Sequence, residues 1–398
     1  MGEKEAGKEF DYRIFLEEEF QKRQRNGEMG VITGSESGIP VLFSRGQSLA
    51  RAWENSLICL YARGSQARTQ YDAQDKKTGE YLDPPSVDCS MAMVVQDPSS
   101  EPLIHRAFPG GLGDLEEYRQ EVLDGIKNHW VRVPTNPGDK RWEYTYNERI
   151  TEYAVPLSKV LEVVAQLPDA AKEIMRKDGV RVLLDQPWVK VVNRPIYSFK
   201  LNDDGNPRLD EQGRPEIESV REEPVVVINQ LEACIDGLAK SPHTRRVQII
   251  TWKPWEDLVA FDPACLQSFW FRILPDADGR PRLNTNERFR SRDAYDAAYM
   301  NCFAFVHLIE KVAKGVSEKR GEEILVGRYV DESDSYHIYG KRRQHFEQGF
   351  LRQVRDRSFE DRTWTREFAE PIFEEERPMI ARKAADKNAE YGAGKLTK

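Results

Sequence analysis

The chain has 398 residues, of which 39% are hydrophobic and 32% charged, a composition typical of a soluble globular protein with a sizeable core. No stretch approaches the roughly 18 consecutive apolar residues of a membrane helix, and the charged N-terminus has no signal-peptide core, so we expect a cytoplasmic location (host cytoplasm if the protein is viral). The net charge of -8 argues against nucleic-acid binding.

The five cysteines are widely spaced and form no CxxC pair, which argues against both a disulfide framework and a metal site. One of them can still serve as a catalytic thiolate. The sequence also lacks GxGxxG and GxxxxGK[ST], so a nicotinamide or ATP enzyme is disfavoured.

In chain order, residues 1–30 are polar and predict a short helix followed by an entry segment. The apolar spacing of Ala50, Trp53, Leu57 and Leu60 predicts a helix over Leu49–Ala62. Two further helices are expected over Leu115–His129, after the turn PGGLGD, and near Leu157–Met175.

The segment Val180–Pro224 carries the turn signals DDGNP and EQGRP and predicts a hairpin-like insertion. The second half of the chain is more regular and predicts two helices with three strands between them. The first helix has Leu231, Cys234, Ile235 and Leu238 on one face. The strands are expected over Val247–Trp252, Cys265–Leu274 and Leu283–Phe289, and the second helix over Asp293–Lys314. Because helices and strands do not alternate strictly, the expected fold class is α+β.

Three regions follow from this organisation. We expect a polar N-terminal segment over 1–44, a catalytic domain over 45–350 with an insertion at about 180–224, and a charged C-terminal tail or lid over 351–398.

Four motifs follow one another within about a hundred residues: TRRVQIITW, DPACLQSFWF, FRSRDAYDAAYMN and DSYHIY. Each has an ordinary explanation by itself, since paired arginines are often solvated and a single cysteine is usually a small core residue. Asn301 is the exception, because a buried amide in an apolar helix must find hydrogen-bond partners.

In this order the motifs resemble the thymidylate synthase superfamily, which includes the deoxypyrimidine nucleotide hydroxymethylases. The upstream pieces WEN (53–55), PGGLGDLEEY (109–118) and YTYNER (144–149) agree with it, and the resemblance covers about residues 45–345. It implies a thymidylate synthase-like fold with a large mixed β-sheet flanked by helices, and a homodimer through the sheet.

The resemblance also implies a role for each matching residue. Cys265 would attack C6 of a pyrimidine, and this addition makes C5 a nucleophile toward 5,10-methylenetetrahydrofolate. The other implied roles are phosphate binding by Arg290 and Ser291, and by Arg245 and Arg246 from a neighbouring subunit; base recognition by Asn301; binding of the sugar 3′-hydroxyl by His337 and Tyr339; folate binding by Asp293; proton relay by Glu54; and a place near the base for Tyr146. For a further, N-terminal phosphate arginine the first candidate is Arg45, followed by Arg23 and Arg25.

The chain departs from the family pattern beside the nucleophile, where Ala264 and Leu266 replace proline and histidine, and before Asn301, where Ala297, Tyr299 and Met300 replace glycine and Pro-Phe. These changes and the different tail favour a deoxyuridylate (dUMP) hydroxymethylase, with thymidylate synthase as the alternative. The Asn301 amide can donate to O4 and accept from N3–H of uracil, so dUMP is favoured over dCMP and CMP. An alternative of another class is a non-catalytic nucleotide-binding regulator. A DNA cytosine methyltransferase is disfavoured because no glycine-rich cofactor loop is present.

Overall fold

The computed structural model describes residues 12–131, 141–155, 186–203, 205, 208–209 and 216–392. The chain forms two compact units that interleave in sequence. Unit 1 comprises residues 1–116, 274–310 and 325–374, and unit 2 comprises 117–273, 311–324 and 375–398. These units divide the chain differently from the three regions expected above, whose boundaries stay a prediction.

The described helices are α1 (Tyr12–Arg25), α2 (Leu49–Arg63), α3 (Leu112–Asp124), α4 (Tyr146–Thr151), α5 (Gln230–Lys240), α6 (Pro254–Asp257), α7 (Ala298–Arg320), α8 (Arg343–Phe346), α9 (Arg352–Asp356) and α10 (Arg366–Gly392). The described strands are β1 (Met29–Thr33), β2 (Val41–Gly46), β3 (Ser65–Ala67), β4 (Ser86–Val95), β5 (Ile104–His105), β6 (Tyr153–Val155), β7 (Val189–Phe199), β8 (Ile217–Ile228), β9 (Gln248–Ile250), β10 (Leu266–Pro275), β11 (Pro281–Phe289), β12 (Arg292–Asp293), β13 (Leu325–Ile338) and β14 (Thr363–Trp364). None of the helices within these ranges is long and apolar enough to cross a bilayer.

Unit 1 contains a mixed sheet. Its strands run in the order β1-β2-β4-β13-β11, with β3 added beside β4 and β12 beside β13. The pairs β2·β4, β13·β11 and β13·β12 are parallel, whereas β1·β2, β13·β4 and β3·β4 are antiparallel. The 14-residue strand β13 therefore lies between β4 and the pair β11 and β12.

Helix α2 packs on this sheet and is buried on nearly all sides, including the polar Glu54, Asn55 and Ser56. Gly46, at the end of β2, makes this packing possible, because a Cβ there would lie 2.3 Å from the backbone nitrogen of Ala52. The sequence predicted one apolar face for this helix, and the structure adds a buried polar face whose charges need partners.

Unit 2 contains a three-stranded sheet in the order β6-β8-β7 and the antiparallel pair β9·β10. Side-chain caps fix the starts of two helices: Thr145 accepts a hydrogen bond from the backbone N–H of Glu148 at α4, and Asn229 accepts one from Glu232 at α5.

The expected α+β class with a large mixed sheet and flanking helices is confirmed, whereas the dimer stays a prediction. The helices expected at Leu49–Ala62 and around Leu231 are present, and the hairpin expected at Val180–Pro224 is present in its described part as β7·β8. Helix α7 begins at Ala298 rather than Asp293, because Asp293 belongs to β12. The helix expected near Leu157–Met175 and the residues 1–11 and 393–398 lie outside the described residues.

A buried ion cluster joins the three strands β11, β12 and β13. Arg292 of β12 donates to Asp331 of β13 and lies 3.4 Å from Glu287 of β11, while Tyr329 also donates to Glu287. All four side chains are almost fully buried. Burial, and secondarily Asp331, raise the pKa of Glu287 to about 8 in spite of Arg292.

We predict that Glu287→Gln weakens the pH dependence of stability. The folded protein retains the proton of Glu287 up to about pH 8, whereas the unfolded chain loses it near the ordinary glutamate pKa of 4.5. The contribution of this carboxyl to stability is therefore present below about pH 4.5 and is lost as the pH rises to 8. Thermal midpoints by calorimetry should fall from pH 5.5 to 8.5 in the wild type, and fall less in the variant. The control is Glu332→Gln on the same sheet, where the side chain is exposed; a pH dependence equal to that of the wild type in Glu287→Gln would contradict the prediction.

Candidate functional site

The predicted nucleotide-binding residues of unit 1 gather at the ends of β11, β12 and β13. Arg290 and Ser291 lie in the two-residue connection between β11 and β12. Register places Asp293 directly opposite His337, and Asp88 of β4 opposite His337 on its other side. Side chains of directly paired residues lie on the same face of a sheet, so these three polar groups share one face.

Two further predicted residues belong to the same part of unit 1. Asn301 lies in the first turn of α7 and is only 7% exposed, as expected for a buried amide. Tyr339 follows the end of β13, and its ring lies edge-on to that of His337, with centroids 4.6 Å apart.

The two ring nitrogens of His337 have different surroundings. Nδ1 lies 3.2 Å from the hydroxyl of Ser335, which donates to both carboxylate oxygens of Asp88 at 3.0 and 2.9 Å. Nε2 is buried and has no hydrogen-bond partner within the described residues. Burial lowers the pKa of His337 although Asp88 raises it, so the ring is neutral near pH 7. A buried polar atom without a partner costs stability, which makes Nε2 a candidate ligand contact.

Asp293 has one occupied and one available carboxylate oxygen. Oδ1 accepts hydrogen bonds from the backbone N–H groups of Tyr295 and Asp296, at 3.0 and 2.9 Å. Oδ2 accepts none from the described residues. Burial raises the pKa of Asp293 to about 6, so the carboxyl is mostly ionised at pH 7 and can accept from a ligand donor.

Glu54 is the centre of a buried charge cluster. Its Oε1 lies 2.7 Å from Arg23 and 2.8 Å from Arg362, while its Oε2 lies 2.5 Å from Arg362 and 2.9 Å from His105 Nε2. Arg51 adds a contact of 3.2 Å to Oε1. Burial alone would raise the pKa of Glu54, but Arg23 and the hydrogen bonds from Arg362 and His105 hold it well below its usual range.

A cationic cavity of about 740 Å³ lies beside this cluster within unit 1. It is lined by Lys22 and six arginines, including Arg45 and Arg51, against three glutamates. Burial, and secondarily repulsion from Arg23 and Arg362, lower the pKa of Arg51 despite Glu54. Of the candidates for an N-terminal phosphate arginine, Arg23 is fully engaged by acidic and amide partners, whereas Arg45 is exposed at the cavity.

The remaining predicted residues belong to unit 2. Cys265 immediately precedes β10, and its backbone N–H donates to the hydroxyl of Tyr144 at 3.4 Å. The ring of Tyr144 lies 5.6 Å from that of Tyr146, the first residue of α4. Of the five cysteines, Cys265 alone is not buried. Arg245 and Arg246 precede β9 and are exposed.

Sequence reasoning named candidate residues on β12, α7 and β13 but not the residues that bond them. It did not single out Asp88, Ser335, His105 or Arg362, which bond the candidate residues. A weak signal existed for Asp88 alone: it is the one acidic residue in the apolar, alternating strand SVDCSMAMVV. His105 and Arg362 are far from Glu54 in sequence and carry no local pattern.

Comparisons with known proteins point to one family. Residues 194–362 match the family model described as thymidylate synthase. A protein of Methanothermobacter thermautotrophicus, whose name gives thymidylate synthase as a provisional assignment, is 32% identical over 112 residues, which is 28% of this chain and 46% of that protein. A protein of Methanothermobacter marburgensis with the same provisional name is 28% identical over 112 residues, or 28% of this chain and 45% of that protein. The chain thus spans about half the length of these curated relatives.

Among solved structures, the thermostable thymidylate synthase A from Bacillus subtilis aligns with a TM-score of 0.39 and 11% identity, over 76% of this chain and 84% of that one. A similarity at this level carries no argument by itself. The family model and the curated relatives support the thymidylate synthase superfamily for this chain.

We predict that Glu54→Gln strongly destabilises the protein. The amide removes the negative charge that Arg23 and Arg362 share; Arg23 keeps Glu19 as a partner, whereas Arg362 keeps only the backbone carbonyl of Arg357 among the described residues. Breaking a buried ion pair on one side typically costs about 3–5 kcal/mol. The matched control is Glu17→Gln, which breaks an exposed pair with Arg63 and should cost about 1 kcal/mol or less. Urea unfolding of both variants measures the difference; equal losses would show that the Glu54 cluster is not a major source of stability.

Proposed function

We propose that this chain, whose residues 194–362 match the thymidylate synthase family, transfers a one-carbon unit from 5,10-methylenetetrahydrofolate to C5 of a pyrimidine nucleoside monophosphate, with dUMP as the preferred substrate. The observation that carries the proposal is the buried, unpartnered Nε2 of His337 on the same sheet face as Asp293. A polar face of this kind, next to Arg290 and Ser291, suits a ligand that has both hydroxyl and phosphate groups.

Each group in unit 1 has a chemical part in binding the nucleotide. Arg290 suits bidentate contact with phosphate oxygens, and the hydroxyl of Ser291 adds a donor. The amide of Asn301 can donate to O4 and accept from N3–H, a pairing that uracil satisfies and cytosine does not. His337 and Tyr339 contact the sugar 3′-hydroxyl.

Cys265 is the proposed nucleophile. Its exposure supports this role, because a thiolate must be reached by its substrate and the other four cysteines are buried. Addition of the Cys265 sulfur to C6 places the electron pair of the C5–C6 double bond at C5 and O4, and C5 then forms a bond to the one-carbon unit. Loss of the C5 proton with release of tetrahydrofolate would leave an exocyclic methylene, which water would attack as the Cys265 sulfur is eliminated, giving the hydroxymethyl group; in thymidylate synthesis, hydride from tetrahydrofolate would take the place of water. Glu54 would relay protons at O4 and C5, and Tyr146 would lie near the base.

The residues present fit a folate co-substrate. Asp293 keeps Oδ2 available and is ionised near neutral pH, as an acceptor for the N–H groups of a pterin requires. Bound methylenetetrahydrofolate would supply the one-carbon unit. Among the described residues no group of three or more His, Cys, Asp and Glu side chains is arranged to hold a metal ion.

We propose hydroxymethylation as the fate of the one-carbon unit, since the sequence departs from the family pattern around Cys265 and before Asn301. Thymidylate synthesis is the second candidate, and the family model and the names of the curated relatives favour it. The exposed Arg245 and Arg246 suit phosphate contacts across a homodimer interface.

Product analysis tests this proposal. The protein is incubated with dUMP and methylenetetrahydrofolate, the nucleotide is analysed by mass spectrometry, and dihydrofolate is followed by absorbance. A hydroxymethyl product without dihydrofolate is the expected result. A methyl product with stoichiometric dihydrofolate would identify the second candidate, and inactivity on dUMP, dCMP and CMP would overturn the proposed activity.

We predict that Cys265→Ser abolishes turnover and leaves nucleotide binding unchanged, because serine is a far weaker nucleophile but similar in size. Turnover is measured by product formation and binding by calorimetry with dUMP. The control, Cys234→Ala, removes a buried thiol from α5 and should retain activity. Turnover in Cys265→Ser equal to that of the wild type would exclude the covalent mechanism.

A further inference from the structure

The hydrogen bonds around His337 define which of its nitrogens carries the proton. The hydroxyl of Ser335 has a single hydrogen, and the geometry assigns that hydrogen to the carboxylate of Asp88, at 2.9–3.0 Å from both oxygens. The Ser335 oxygen can then only accept from the ring nitrogen 3.2 Å away. Nδ1 of His337 must therefore be the protonated nitrogen.

The second ring nitrogen follows from the first. A neutral imidazole carries one N–H, so Nε2 has a lone pair and no hydrogen. It is also the atom that lacks any partner among the described residues, although the side chain is only 6% exposed. The site thus presents a buried acceptor, which a ligand satisfies only with an O–H or N–H donor.

We propose that Asp88 is a positioning residue, which acts through Ser335 to hold His337 in the Nδ1–H form, so that Nε2 selects ligands with a hydrogen-bond donor. The identity of that donor as the sugar 3′-hydroxyl rests on the proposed function. The fixed proton position does not, since it follows from contacts within the ligand-free protein.

Asp88 suits this role because its place is set by the sheet. It lies opposite His337 in the antiparallel pair β4·β13, and Ser335 is two residues before His337, on the same face. Burial raises the pKa of Asp88, while the Ser335 hydrogen bond and His337 lower it. Without the carboxylate, the Ser335 hydroxyl is free to rotate and donate to Nδ1, so the Nδ1–H form is held only by the hydrogen bond of the ring to the Ser335 backbone and the Nε2–H form becomes populated.

Nitrogen NMR of the full-length, ligand-free protein with ¹⁵N-labelled histidine tests the proton position. The chain has six histidines, and the His337→Gln spectrum assigns the His337 signals by their loss. In the wild type, Nδ1 should resonate as a protonated, pyrrole-like nitrogen and Nε2 as an unprotonated, pyridine-like one. In both Asp88→Ala and Ser335→Ala, the single Nδ1–H form should give way to a mixture of the two forms.

The control is Asp334→Ala, which removes an exposed carboxylate next to Ser335 that pairs with Arg288 and does not face His337. Its spectrum should match that of the wild type. A protonated Nε2 in the wild type would overturn the proposal, as would an Nδ1–H form that persists in both Asp88→Ala and Ser335→Ala.

Binding of dUMP and of its 3′-deoxy analogue tests the ligand donor separately. The wild type should bind the analogue roughly tenfold more weakly, since the acceptor is left unsatisfied. In Asp88→Ala this difference should persist, because a protonated Nε2 can donate to the same hydroxyl oxygen, so the proton position is read from the NMR spectra alone. Equal affinities in the wild type, together with the expected NMR result, would leave the proton position established and refute the sugar contact of the proposed function.

Discussion

The geometry of the candidate site depends on one buried arginine. Arg292 is the third residue of the motif RSRD, and it alone of the four points into the core, where it bonds Asp331 and approaches Glu287. Its two neighbours on the N-terminal side remain partly exposed, and Asp293 pairs with His337. A buried ion of this kind stabilises a fold weakly, but it allows few alternative registers, because any shift would leave a charge unpaired. The same cluster therefore fixes the position of the connection formed by Arg290 and Ser291, and it fixes which residue pairs with His337.

Glu54 is held in one position by a buried network of charges. It is fully buried and its oxygens are shared among Arg23, Arg362 and His105, so it is held ionised and oriented. A proton relay through Glu54 would require this network to give up a hydrogen bond first. Burial lowers the pKa of His105 although Glu54 raises it, so this partner is uncharged at neutral pH. Any proton movement at Glu54 would alter its hydrogen bond with His105, a residue with no counterpart in the motifs.

The sequence predicts those helices, strands and turns that depend on local residue patterns. The helical spacing around Trp53 and Leu231, the turn signals of the β7·β8 hairpin and the strand character of β10 and β11 were all readable, and the structure confirms these elements. The sequence predicts a helix that begins at Asp293, but Asp293 pairs with β13 as part of the short strand β12, and the helix begins at Ala298. Partners such as Asp88 for His337 arise from strand order, and strand order is set by long-range packing that no local pattern records.

Strand order also explains why the ring of His337 is buried with one nitrogen lacking a partner among the described residues. His337 lies on β13 with a neighbouring strand on each side, and its ring is therefore shielded from solvent. The ring contacts Ser335 on its own strand. The described residues satisfy Nδ1 but leave Nε2 unsatisfied, which costs stability in the absence of a ligand. A sheet that supplies a partner for one nitrogen only is consistent with a site whose remaining hydrogen bond is completed by a ligand.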